Sequence, residues 1–268
     1  MLFALFVSML AGLATAIGGA VVITRKTLPR PVMAAALAFS SGAMIMVSMA
    51  EILPKGVDSL AAALPEGQAM GLAYLSFFLG IGLVLSIDRF LPAPLNPGET
   101  EGREDELASP SGQRQTTSLL RSGLLVAIVL GLHNFPEGMA TFFATYTDPT
   151  MGLTLATAIA IHNVPEGIAV AAPVLAATGS RVKALWWATA SGLTEPLGGL
   201  LAAALVAWVL PESLFGILYG LVAGMMVFLA IDELLPAAWR YQTDKHQTVY
   251  GMIAGLGLVA FSLVLFAL

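Results

Sequence analysis

His133-Asn134-Phe135-Pro136-Glu137-Gly138 and His162-Asn163-Val164-Pro165-Glu166-Gly167 are two copies of one motif, each set inside a long apolar run. A residue advances about 100° around an α-helix, so with the histidine at 0° the asparagine lies near 100° and the glutamate near 40°. The carboxylate therefore falls between the other two. It can share one cation with the histidine four residues back and offer its second oxygen to a neighbouring cation on the asparagine side. Two copies facing each other would build adjacent metal sites bridged by Glu137 and Glu166. Pro136 and Pro165 cannot donate to the carbonyls of Leu132 and Ile161, which predicts a kink and a freed carbonyl oxygen in each helix. Freed backbone inside a membrane is tolerated where it is buried in protein or lines a watery cavity. As bare structure, each motif is a proline kink with a few satisfied polar groups. Six coordinating groups in apolar surroundings favour a cation instead.

Composition places these runs in a bilayer. Of the 268 residues, 57% are hydrophobic and 11% charged, and the mean hydropathy is +0.85; a soluble domain carries about 25% charged residues. The net charge of -5 is partly confined to one loop and gives no sign of a nucleic-acid partner. Cysteine is absent, which excludes disulfides and thiolate ligands and leaves imidazole, carboxylate, amide and thioether donors.

Apolar runs of spanning length, about 20 residues, lie near 2–23, 33–53, 68–91, 119–146, 151–176, 184–209, 212–235 and 249–268. The expected fold is an all-α integral membrane protein, a single polytopic domain of eight transmembrane helices. The first run has no basic residue ahead of it and does not look like a cleaved leader. Residues 96–117 are polar, with an acidic run at their start, and are expected to form a disordered loop. Eleven of the 12 lysines and arginines fall in the loops after the first, third, fifth and seventh helices, against Lys55 alone on the other side. By the positive-inside rule those loops are cytoplasmic and both termini face out.

An internal repeat is visible. Gly12-Leu13 and Gly18-Gly19 match Gly192-Leu193 and Gly198-Gly199. Gly42, Met44, Glu51, Leu53 and Pro54 match Gly224, Met226, Glu233, Leu235 and Pro236, and Leu-Val-Leu at 83–85 matches 263–265. Each member lies five helices on from its partner, an odd offset, so the triplets are inverted. The arrangement is 3+2+3, with the two motif helices in the centre. Inverted repeats around polar midplane residues are the sequence pattern of alternating-access transporters. Glu195, followed by Pro196, reaches the same depth as the motifs and is a further candidate ligand. Glu51 near the outer end of the second helix, and Asp232 with Glu233 near the inner end of the seventh, could attract cations or be ordinary helix-end charges. Methionines 44, 46, 49, 225 and 226 most simply fill gaps.

With two HNxPEG helices inside eight spans, and SGLTEPLGG at 191–199, the chain resembles the ZIP family of divalent metal transporters, nearest its bacterial zinc-uptake branch. The resemblance covers essentially the whole chain. It implies a binuclear centre, with zinc at Glu137, His162 and Glu166, and a second site, associated with iron in this branch, at Asn134, Glu137, Asn163, Glu166 and Glu195. His133 joins the ligand set because the helical spacing sets it beside Glu137. The histidine-rich loop of many relatives is missing between helices three and four. The resemblance further implies uptake of zinc, with iron(II) and other divalent ions, across a cell inner membrane, with Zn²⁺ and Fe²⁺ as transported ions and no resident cofactor. The bilayer is the other partner, and a homodimer is compatible with the sequence. An intramembrane metallohydrolase is the rival, but a zincin-like site needs His-Glu-x-x-His. Here Asn follows the histidine and Glu stands where the second would be, so the enzyme reading lacks its base.

Overall fold

The structure, a computed structural model, describes residues 1–24, 29–90, 131, 134–207 and 212–267. Among them every regular element is helical. In chain order α1 is Leu2–Ile23 and α2 is Arg30–Val47, prolonged by a π-helical turn Ser48–Ile52 and by Leu53–Ala61; α3 is Glu66–Phe90. Next come α4 (134–147), α5 (Pro149–Thr178) and α6, which is Arg181–Gly192 continued by Thr194–Ala207. Then α7 is Glu212–Leu229, a second π-helical turn Ala230–Leu234 and Leu235–Tyr241, and α8 is Gln247–Ala267. Seven of the eight, all but α4, are long and apolar enough to cross a membrane over their described residues. The polar loop 96–117 lies outside the described residues.

Pro54 and Pro236 stand just past the expected ends of the second and seventh apolar runs, and both are absorbed into longer helices. The amide of Leu53 bonds to the carbonyl of Ser48, and that of Leu235 to Ala230, each five residues back. This wider turn accommodates the proline that follows and lets the helix run on. Consequently α2 reaches Ala61 rather than 53, and α7 reaches Tyr241 rather than 235. Glu51, Asp232 and Glu233 lie inside π-helical turns rather than at helix ends, and Glu51 is buried.

Glycines set the helix crossings, because a missing side chain lets backbones touch. A Cβ on Gly167 of α5 would strike the carbonyl oxygen of Thr15 on α1, and one on Gly138 of α4 would strike that of Glu195 on α6. In the same two crossings Gly18 meets the carbonyl of Val164, and Gly198 that of Phe135. One set of contacts thus occurs twice, and Gly12 and Gly192 face each other's carbonyls. Farther out, Gly42 of α2 meets Met252 of α8 as Gly224 of α7 meets Phe77 of α3, and Gly255 meets Phe39 as Gly80 meets Leu221. Equivalent positions are 182 apart between α2 and α7 and 175 apart between α3 and α8. The Leu-Val-Leu match at 180 is therefore not the offset at which α3 and α8 make equivalent contacts with α7 and α2.

The start of α2 and the end of α7 lie together. Arg30 donates to the carbonyl of Arg240 and sits 6.0 Å over the Tyr241 ring, while Gln247 Nε2 donates to the carbonyl of Pro31 at 2.7 Å. The two helices accordingly run in opposite directions.

Candidate metal centre

A tight turn brings the two motif helices face to face. Asp148 Oδ1 accepts from the amides of Thr150 (2.9 Å) and Met151 (3.2 Å), satisfying two of the amides that a helix start leaves free, and Pro149 occupies the first helical position. Gly152 lets α5 lie against the backbone of Thr145 on α4. Neither Pro136 nor Pro165 interrupts its helix over the described residues. The interruption is in α6, where Leu193 separates two helical segments and Pro196 cannot donate to the carbonyl of Gly192. Thr194 Oγ1 ties that break down, donating toward Gly131 O at 2.6 Å and Ser191 O at 2.7 Å. Glu195 then stands in the first turn of the second segment.

Asn134, Glu137, His162, Asn163, Glu166 and Glu195 are all 0% exposed. Ligating atoms of Glu137, His162 and Glu166 lie within 4.8 Å of one another. His162 Nδ1 is 3.0 Å from the carbonyl oxygen of Ala158. A carbonyl only accepts, so Nδ1 carries the proton and Nε2 is left to face Glu137 Oε1 at 3.1 Å. An imidazole lone pair aimed at a carboxylate oxygen needs a cation or a shared proton between them. A histidine whose far nitrogen is fixed by a backbone carbonyl is the usual arrangement of a metal ligand.

The asparagines are fixed in the same manner. Asn163 Nδ2 donates to Ala11 O at 3.0 Å and to Glu195 Oε2 at 3.2 Å, and Asn134 Nδ2 donates to Ser191 O at 3.1 Å. With each nitrogen committed, Oδ1 is the free end. Both Oδ1 atoms, Glu137 Oε2, both oxygens of Glu166 and Glu195 Oε1 are buried without a hydrogen-bond partner among the described residues. At about 1–3 kcal/mol for each unsatisfied buried group, this set is costly unless a cation takes the lone pairs. The donors, one imidazole with carboxylate and amide oxygens, suit zinc on the nitrogen side and harder divalent ions on the oxygen side.

Of the seven residues expected to ligate, the structure clusters Glu137, His162 and Glu166, joins Asn163 to Glu195, and anchors Asn134 four residues before Glu195. His133 lies outside the described residues. Sequence reasoning missed the supporting shell. Ser40 Oγ donates to the carbonyl of His162 at 2.9 Å, Ser8 Oγ reaches that of Glu195 at 3.3 Å, and the carbonyls of Ala11, Ala158 and Ser191 orient the ligands. No spacing rule marks these residues, since backbone carbonyls are present at every position.

Comparison with known proteins places the chain beside zinc transporters. The family profile described as ZIP Zinc transporter matches residues 93–263. The zinc transporter ZupT of Corynebacterium glutamicum is 47% identical, covering 99% of this chain and 100% of the relative. Those of Oceanobacillus iheyensis (45% identical, 100% of this chain and 99% of the relative) and Stenotrophomonas maltophilia R551-3 (47%, 98% and 95%) are similar over almost their whole length.

Proposed function

The chain belongs to the ZIP zinc transporter family, and from that premise we propose that it carries divalent cations, zinc foremost and iron(II) second, across the membrane into the cytoplasm. The ions pass through a binuclear centre. Glu137, His162 and Glu166 hold one, and Asn134, Asn163 and Glu195 complete a second that shares both motif glutamates, with His133 as a further ligand. The observation that carries this reading is the set of buried, unpartnered acceptor oxygens around a histidine whose Nδ1 is already committed.

A 3+2+3 inverted repeat is part of the proposal. Its support is the twofold recurrence of the glycine crossings, the two π-helical turns at 48–52 and 230–234, and the opposed directions of α2 and α7. Two triplets of opposite orientation around α4 and α5 give two related states in which the centre faces one side or the other. The charge bias of the loops sets both termini outside an inner membrane, and a homodimer is the assembly we expect.

Purified chain in proteoliposomes should accumulate Zn²⁺, and Fe²⁺ under reducing conditions, with membrane potential and pH gradient imposed separately. Zinc accumulation no faster than in protein-free vesicles, under every gradient, would overturn the proposal. Asn163→Asp should shift the metal preference more than it changes folding. A carboxylate in place of a fixed amide oxygen adds negative charge beside the shared glutamates and favours harder ions such as Mn²⁺. We expect the ratio of Mn²⁺ to Zn²⁺ uptake to rise about tenfold, the low end of what changes around a metal site do to affinity. An unchanged selectivity series would remove Asn163 from the ligand set.

A further inference from the structure

A cavity of about 610 Å³ lies at the α4–α5 turn, lined among others by Lys55, Asp58, Tyr146, Asp148, Phe215 and Tyr219. Two of its lining residues, Phe215 and Tyr219 of α7, pack on Phe143 of α4, with ring centroids 5.3 and 5.9 Å apart. Glu137 lies six residues farther along α4, about 9 Å at 1.5 Å per residue. The cavity thus lies toward the α4–α5 turn from the metal centre, and Phe143 stands between the two along α4.

Lys55 is the one base among its described lining residues. Its Nζ lies 3.0 Å from Oε1 of Glu51, a carboxylate 8% exposed in the π-helical turn of α2. Neither atom makes a hydrogen bond among the described residues, so the ion pair is the contact that holds them. The ammonium is thus held by charge to one buried carboxylate oxygen, in a residue that lines a cavity on the α4–α5 side of the candidate cation site.

We propose that Lys55 is a tethered counter-ion that occupies Glu51 until a divalent ion displaces it, and so sets both the threshold and the valence selectivity of admission from the cavity. This rests on the transport function proposed for the centre. Exchange of a single charge for another single charge at Glu51 gains nothing from Coulomb attraction, whereas a doubly charged ion gains about twice the attraction of the ammonium it replaces. Sodium and potassium are thereby refused while zinc is taken.

Zinc uptake by wild type, Lys55→Met, Glu51→Gln and the double variant, reconstituted in equal amounts, tests this. Lys55→Met should lower the KM for zinc at least about fivefold, which is what one unit charge at about 4 Å is worth even in water. It should also make uptake more sensitive to added KCl. Glu51→Gln, which leaves the ammonium without its partner, should raise KM by a similar factor, and the double variant should return to within about twofold of wild type. Equal KM values in both single variants would overturn the proposal. So would shifts of the same sign, the mark of a structural bridge, or failure of all three variants to fold. Absence of uptake by the wild-type chain would instead refute the transport function itself, and is seen before any variant is compared.

Discussion

Glu137→Ala is expected to stop zinc and iron(II) uptake together, lowering initial rates by at least about a hundredfold. Loss of even a residue that only orients a ligand typically costs about 10–100-fold in metal affinity or activity, and Glu137 is a direct ligand in both halves of the proposed centre. Its Oε1 faces His162 Nε2 at 3.1 Å and its Oε2 is buried without a hydrogen-bond partner among the described residues. The fold should survive. Removing a buried carboxylate relieves a desolvation cost, so the metal-free variant should unfold at the same temperature as wild type or higher. That pairing of lost transport with retained stability separates a site residue from a structural one. Uptake above about a tenth of the wild-type rate, or loss of zinc with iron retained, would show that Glu137 is not the shared ligand.

Gly167→Ala should do the reverse, damaging transport through the fold. The added Cβ meets the carbonyl oxygen of Thr15, and both partners are backbone, so no side chain can swing aside. Helices α1 and α5 must separate, which stretches the 3.0 Å bond from Asn163 to Ala11 O that holds a candidate ligand in place. Overpacking of this kind costs about 1–3 kcal/mol or more. We expect a lowered unfolding temperature and at least about tenfold slower uptake. Gly71→Ala, where an added Cβ meets nothing within 4 Å, is the matched control and should behave as wild type. Gly167→Ala with wild-type stability and rate would mean that the α1–α5 contact is not as close as the structure has it.

Much of this centre is legible in the sequence because helical spacing alone sets Glu137 between His133 and Asn134, and Glu166 between His162 and Asn163. The doubled motif then implies that the two faces meet. Membrane class was equally accessible, since hydropathy needs no knowledge of packing. The second and seventh helices run on past the apolar stretches that end at 53 and 235, because a five-residue hydrogen bond opens the turn before Pro54 and Pro236, and no apolar pattern marks that bond. The match of Leu-Val-Leu at 83–85 with 263–265 misled. Leu83 and Leu85 are exposed, and apolar residues on a lipid-facing surface match at many offsets. The equivalence of α3 and α8 is carried instead by Gly80, whose backbone meets Leu221 of α7, and Gly255, whose backbone meets Phe39 of α2. The break in α6 was half visible, in Gly192 and Pro196, but its tie through Thr194 to Gly131 depends on α4 lying alongside.

Bound zinc per folded chain, measured by metal analysis of detergent-purified protein at saturating zinc, tests the bridged centre most directly. The account predicts two ions in the wild-type chain, one in Asn163→Ala, and none held with wild-type affinity in Glu137→Ala. One zinc retained at wild-type affinity in Glu137→Ala would contradict it.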